Sequence, residues 1–397
     1  MGNQKTILIL GGGYYNLPLI KKSVELGYYT IVCGIEGNYP GYACASLWED
    51  INIFDKEQVL EVAKKHHVNA ILATGADTIM PVIGYVNDQL HLIGPSEQCT
   101  ILSTNKYEMK KRFFEYGVRT ATYQMVRSID EAMIFAQAHS FSVVLKVVDK
   151  CGGVGIAIVQ SKEELIRDFD IVFAQTKLDY IIIEEYVRGI EFGAQAYVKN
   201  GRITFVMPHG DMVHHGLTDV PVGHYAPYEM SAEQIEDVHR QLALCIGALE
   251  IDNAAINADF ILSDGKVYVL EIGARAGATC LPELVTECYN KNYYEYMLRS
   301  VMGEEVDETF EPQNAAIVET LISTKSGIVK DIRIGAMPRE VINYEIYPRI
   351  NDEVSAFRTA YDRIGMMIIR GERLDSLWKV REHVHENCLN IEILEKD

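Results

Sequence analysis

Residues 143–160 read VVLKVVDKCGGVGIAIVQ, an apolar run that ends in glycines and leads straight into a second apolar run. Val143–Lys150 and Ile156–Gln160 each carry the β-branched density of a buried strand, so Gly152, Gly153 and Gly155 join strand to strand. A P-loop needs its glycines followed by Lys-Ser/Thr at a helix N-terminus, and no such sequence follows here. A glycine hairpin can instead fold over phosphates and donate backbone N–H groups, with Lys146 on the preceding strand as a point charge. Taken alone, such a hairpin is more often a plain turn. Cys151 inside it reads as a tolerated small residue, not a catalytic thiol.

The first hundred residues alternate strand and helix signals. Residues 6–10 (TILIL) meet Gly11-Gly12-Gly13, Leu17, Ile20 and Val24 recur at helical spacing, and Thr30–Cys33 is a second buried strand. Gln58–Lys65 and Ala70–Ala73 repeat the pattern, which predicts a Rossmann-like domain with a parallel sheet. A dinucleotide fingerprint would need glycine where Asn16 stands and an acid closing the second strand before Gly34. An oxidoreductase reading therefore rests on Gly11–Gly13 alone. Further on, Ser128…Glu131, Ser161…Glu164 and Ser231…Gln234 are capping boxes that open helices, and Asn200-Gly201 marks a hairpin.

At 397 residues the chain is long enough for two or three domains. Lys and Arg number 37 against 56 Asp and Glu, and the net charge of −19 argues against nucleic acid as a partner. None of the eight cysteines forms a Cys-x-x-Cys pair, so zinc ribbons and dithiol redox motifs are excluded. The N-terminal apolar run is too short for a signal-peptide core, and no stretch approaches the roughly 20 apolar residues of a membrane span. No membrane partner and a cytoplasmic location are expected.

Ala254–Leu262 and Lys266–Ile272 form a second informative hairpin, whose only carboxylates are Asp259 and Glu271. Acids among apolar neighbours are costly unless a cation pairs with them. Strand alternation makes their relation depend on loop length. A two-residue Asp264-Gly265 turn sends Asp259 to the face opposite Glu271. A three-residue Ser263-Asp264-Gly265 loop pairs Asn257 with Glu271 and leaves Asp259 diagonally beside them. We expect the three-residue loop, which gathers Asn257, Asp259 and Glu271 into an all-oxygen set suited to Mg²⁺ or Mn²⁺. Arg275, between small residues in GARAGA, is placed to reach a phosphate or carboxylate.

Together these motifs resemble the ATP-grasp superfamily, in particular its carboxylate–amine ligases, over almost the whole chain. The resemblance implies an α/β fold with an N-terminal Rossmann-like (pre-ATP-grasp) domain over 1–105. It implies a two-lobed ATP-grasp body over 106–312, with the lid lobe at about 120–190, and a small α+β C-terminal lobe over 313–397. By motif, Lys106 in TNKYEMKKRF and Lys146 would contact phosphates, and Gly152, Gly153 and Gly155 would form the lid. Glu184, Glu185, Tyr186 and Val187 would form the hinge that reads adenine, and Glu191 would bind the ribose. Asp259 and Glu271, helped by Asn257, would hold the metal, and Arg275 would stabilise the phosphoryl or acyl-phosphate intermediate. Gly273 stands where many relatives carry an Asn ligand. The implied cofactors are ATP and Mg²⁺, and the implied partners are a small carboxylate and an amine, with a homodimer expected.

The implied reaction forms a carbon–nitrogen bond through an acyl phosphate. One alternative is phosphoribosylglycinamide synthetase, for which Lys21 and Lys22 offer thin basic support. Another is a nucleotide-binding protein with weak catalysis, of which Gly273 would be the first symptom. His209, His214, His215 and His224 cluster in a Gly/Pro-rich stretch that reads as a loop, where a pair could bind an anionic substrate or shuttle a proton, or simply be solvated.

Overall fold

The computed structural model describes residues 4–150, 154–215, 219–359 and 362–395. Strands β1 (Thr6–Leu10), β2 (Tyr29–Gly34), β3 (Leu47–Asp50) and β4 (Ala70–Leu72) pair in parallel in the order β3-β2-β1-β4. Parallel neighbours need crossovers, here α1 (Leu17–Glu25) and α2 (Lys56–Lys65), with α3 (Met80–Leu90) and α4 (Glu97–Thr104) following β4. Ile7–Leu10 and Ile31–Cys33 are fully buried, which is why β1 and β2 read as unbroken apolar runs. Asn16 closes the glycine turn. Its amide donates to the Leu10 and Gly11 carbonyls (2.9 and 3.0 Å), and its oxygen accepts from the Thr74 N–H (2.8 Å) beyond β4.

Helix α5 (Lys106–Tyr116) leads into an antiparallel sheet ordered β5-β8-β6-β7, from β5 (Tyr123–Val126), β6 (Val143–Lys146), β7 (Ile156–Val159) and β8 (Ile181–Glu185). Helices α6 (Ile129–Ala138) and α7 (Lys162–Phe173) pack on it. Ser128 and Ser161 cap them by accepting from the Glu131 and Glu164 N–H groups. Each glutamate reaches back to the N–H one residue before the serine, on Arg127 and Gln160. β6 stops at Lys146, and the Val147 N–H then bonds the Gly155 carbonyl (2.9 Å). Gly155 needs its positive φ of 73° and its missing side chain, because a Cβ there would meet Val147 at 2.4 Å. Cys151, Gly152 and Gly153 lie outside the described residues.

The body is an eight-stranded sheet. It contains β9 (Ile190–Lys199), β10 (Arg202–His215), β11 (Asp219–Ala226), β12 (Ala254–Ser263), β13 (Lys266–Gly273), β14 (Ala315–Leu321), β16 (Val341–Ile346) and β18 (Gly365–Gly371), ordered β13-β12-β9-β10-β11-β14-β18-β16. Strands β15 (Gly327–Ile334), β17 (Glu353–Val354) and β19 (Leu389–Glu395) form a separate three-stranded sheet. Helix α8 (Ala232–Leu249) opens on the expected Ser231/Gln234 capping box, and α9 (Leu281–Tyr289), α10 (Tyr293–Val301) and α11 (Leu374–His383) complete the chain. Phe192, Ala194, Ala196 and Val198 of β9 alternate with Ile256, Ala258 and Phe260 of β12 in a core that α5 and α8 cover. The opposite face of these strands carries the polar residues considered below.

The loop expected over 207–226 is corrected: its described residues, 207–215 and 219–226, belong to a pair of antiparallel strands. Gly210 and Gly223 serve packing, not turning. A Cβ at Gly210 would strike the Tyr225 ring at 2.1 Å, and one at Gly223 the Met212 side chain at 2.1 Å. Pro221 is accommodated beside a bulge at Met212/Val213. Among the described residues, no helix is long and apolar enough to cross a membrane.

Candidate functional site

Strands β12 and β13 meet through a two-residue turn, because Ser263 pairs with Lys266 while Asp264 and Gly265 both take positive φ (49° and 74°). The expected three-residue loop is therefore wrong. The two carboxylates still share a face, because a bulge between Asp259/Phe260 and Glu271/Val269 leaves Leu270 without an opposite number and resets the parity. Asp259 lies directly across from Glu271, and Asn257 across from Gly273. The signal was present in the sequence. Val267 and Val269 face the α8 core, and so do Ile272 and Ala274, a spacing that slips by one residue at Leu270.

Burial, followed by the like charge of Glu271 and then that of Asp211, raises the Asp259 carboxyl well above the ordinary carboxylate range. Among the described residues Asp259 makes no ion pair. Lys106 Nζ lies 3.2 Å from Glu271 Oε2 and donates to the Lys150 carbonyl (2.6 Å). Lys106, Asn257, Glu271 and Arg275 line one cavity of about 350 Å³, with Asp77 and Lys150. A pair of facing carboxylates, Asp259 with no ion pair among the described residues and Glu271 paired with Lys106, fits a divalent cation with oxygen ligands.

Arg275 forms a two-point pair with Asp77, Nε to Oδ1 at 2.8 Å and Nη2 to Oδ2 at 2.5 Å, and its Nη1 donates to the Ala276 carbonyl. Three of five N–H groups are used, so two remain for a ligand oxygen. This clamp accounts for Gly273, since a Cβ there would stand 2.8 Å from Asp77 Oδ1. The space that an asparagine would fill belongs to a carboxylate 196 positions earlier (273 − 77). Asn257 is oriented by buried Gln195, whose Nε2 donates to Asn257 Oδ1 (2.6 Å) while its Oε1 accepts from the Gly277 N–H (3.0 Å).

Lys146 Nζ binds Glu184 Oε2 at 3.0 Å, and Lys110 Nζ reaches the same oxygen at 3.2 Å. Burial alone would raise Glu184, but the two lysines hold it below the usual range, while desolvation lowers Lys110. Lys146 itself is not among the residues lining the cavity; it connects to it through Glu184 and Lys110, whose ammonium also feels Glu271. The Glu185 carboxylate accepts from Thr122 Oγ1 (2.9 Å), and the Tyr186 N–H bonds the Ser142 carbonyl. Tyr186 and Val187 lie in the connection from β8 to β9. Glu191 is exposed on β9 opposite Ile261, on the same face as Gly193 and Gln195.

His209 and His224 converge on Asp211, whereas His214 packs edge-on against Phe357. Sequence reasoning missed Asp77, Lys110, Gln195 and Arg363. Lys110 could have been found, since it stands one helical turn from Lys106. Arg363, whose guanidinium carbon is 4.0 Å from the Tyr15 ring centroid and also faces Tyr14 and Tyr347, had no local signal.

Residues 104–279 match the family model of the phosphoribosylglycinamide synthetase ATP-grasp (A) domain. The chain is similar to the formate-dependent phosphoribosylglycinamide formyltransferase of Wolinella succinogenes, 22% identical over 95% of each chain. Among solved structures it is similar to phosphoribosylglycinamide synthetase from Anaerococcus prevotii, with TM-score 0.85 and 33% identity over 99% of this chain and 100% of that one. It also shares its fold with an L-amino acid ligase from Bacillus licheniformis, with TM-score 0.82 and 17% identity over 100% of both chains. With a third of its residues shared along nearly its whole length with one solved relative, and with residues 104–279 matching the family model, the chain belongs to the ATP-grasp superfamily, among its carboxylate–amine ligases.

Proposed function

We propose that the protein uses ATP and Mg²⁺ to activate a small carboxylate as an acyl phosphate and joins it to an amine, releasing ADP and phosphate. The observation that carries this reading is the convergence of Lys106, Glu271, Asn257 and Arg275 on one cavity, with Asp259 directly across from Glu271.

Asp259 and Glu271 would hold the cation, with the Asn257 amide beside them; once bound, the cation neutralises phosphate charge. Lys106 and Lys146 exchange their present carboxylate partners for phosphate oxygens. The two spare N–H groups of Arg275 meet the charge that develops as the carboxylate oxygen attacks the γ-phosphorus and ADP leaves. Gly152, Gly153 and Gly155 cover the phosphates and exclude water from the acyl phosphate, Glu184 to Val187 read the adenine, and Glu191 binds the ribose. The amine nitrogen then attacks the acyl carbon, and phosphate departs with the C–O bond electrons. We place the protein in the cytoplasm and expect it to form a homodimer.

A second, narrower reading is favoured by the 33% identity to phosphoribosylglycinamide synthetase over nearly the whole chain: the amine is phosphoribosylamine and the acid glycine. ADP release is measured with glycine plus phosphoribosylamine and, separately, with pairs of amino acids. Release with the first pair alone selects the synthetase, and release with amino-acid pairs selects an amino-acid ligase. No acid- and amine-dependent release with any pair, despite tight Mg·ATP binding, would leave a nucleotide-binding protein.

A further inference from the structure

His209, Asp211 and His224 sit outside the chemistry above, yet they are placed with more care than solvated histidines require. His209 and Asp211 are two apart on β10, so they share a face, and His224 on β11 lies directly opposite Asp211. Both imidazoles are almost fully buried, their rings meet edge to face at 5.0 Å, and the donor atoms of the three side chains lie within 4.8 Å of one another. Gly193 on β9 makes room for this arrangement, since a Cβ there would stand 2.3 Å from the His209 ring.

Asp211 Oδ1 receives both Nδ1 atoms, from His209 at 3.0 Å and His224 at 2.6 Å. A carboxylate only accepts, so each ring donates from Nδ1, and a neutral ring so placed leaves a lone pair on Nε2. The Nε2 atom of His209 is buried with no hydrogen-bond partner. Asp211 Oδ1 is held by the two imidazoles, and among the described residues no lysine or arginine pairs with it. The three side chains offer one donor atom each within reach of a single ion, and a metal ion that takes imidazole nitrogens in place of their protons would bind there.

We propose that His209, Asp211 and His224 form a second divalent-cation site, whose two imidazoles and one carboxylate suit a transition-metal ion such as Zn²⁺ or Co²⁺ in preference to Mg²⁺. The proposal does not rest on the ligase reading, and its three ligands are distinct from Asp259 and Glu271.

The full-length protein, stripped with chelator and free of nucleotide, is loaded with Co²⁺, desalted, and assayed for retained cobalt and its visible absorption. The expected result is about one Co²⁺ per chain, kept by the Asp259→Asn/Glu271→Gln variant and held roughly tenfold or more weakly by Asp211→Asn and by His224→Gln. Wild-type protein that retains no cobalt overturns the proposal. So does equal retention by Asp211→Asn and His224→Gln, or loss confined to the Asp259/Glu271 variant. Should the cluster variants fail to fold by circular dichroism, ring ¹⁵N resonances of the wild type under Zn²⁺ titration decide. Shifts at two histidines that persist in the Asp259→Asn/Glu271→Gln variant support the site, and unmoved resonances refute it.

Discussion

Asp237 and Asp259 are both carboxylates set against the β12–β13 hairpin, and the protein treats them in opposite ways. Asp237, on α8, accepts from the Val267 N–H of edge strand β13 (2.9 Å), from Arg119 (2.6 Å) and from Arg240. Burial alone would raise it, but the Val267 amide and the Arg240 and Arg119 guanidiniums pull it down to about 2. Asp259 lies across from another acid and, among the described residues, makes no ion pair; burial and the charge of Glu271 outweigh the weaker pull of Arg275 and drive it the other way. A carboxylate whose partners are all supplied by the chain holds the fold; one whose partners are withheld is kept for a ligand.

The double replacement Asp259→Asn/Glu271→Gln is the severest test of this contrast. Acid- and amine-dependent ADP release should fall about 1,000-fold or more, while Asp259→Asn alone leaves the melting temperature level or raises it, because the carboxyl that burial and Glu271 disfavour is gone. A loss of stability instead would put Asp259 in the same class as Asp237. Next in size is Arg275→Lys, which keeps the charge but breaks the two-point pair with Asp77 and should lower kcat by roughly 100-fold, with Asp77→Asn falling about tenfold.

Asp237→Asn should do the reverse, costing roughly 2 kcal/mol of stability at neutral pH with kcat per folded molecule unchanged. Its folded pKa lies below the unfolded value of 3.8, so its contribution is full above about pH 4 and fades as the pH falls toward 2. Denaturant melts of wild type and variant should therefore converge over that interval. Smallest is Arg240→Ala: its side chain is 60% exposed, and the urea denaturation midpoint should barely move.

Signals confined to a few neighbouring residues were readable in the chain. Ser128, Ser161 and Ser231 cap the helices expected of them, and Asn200-Gly201 turns the β9–β10 hairpin. Asp259 and Glu271 were placed on one face, but through the wrong turn and with Asn257 in place of Asp259 opposite Glu271, because parity was reckoned on a regular ladder and the slip at Leu270 was not weighed. The 207–226 stretch misled because glycine and proline signal loops only when nothing packs against them; Tyr225 and Met212 occupy the space. Asp77 with Arg275, and Lys110 with Glu184, join residues 198 and 74 positions apart (275 − 77 and 184 − 110), which local patterns do not encode.

The seam between β11 and β14 carries one more consequence. Four residue pairs, Gly223 with Glu319 through Ala226 with Ala316, stitch the C-terminal strands, which begin at Ala315, to the strand that bears His224. A fragment trimmed to the stretch matched by the family model would leave that strand with a raw row of amides and carbonyls, ready to zip onto its own copies. Expression of such a piece should yield aggregate in place of a miniature enzyme, so the C-terminal strands work as a selvedge that keeps the catalytic cloth from fraying into its neighbours.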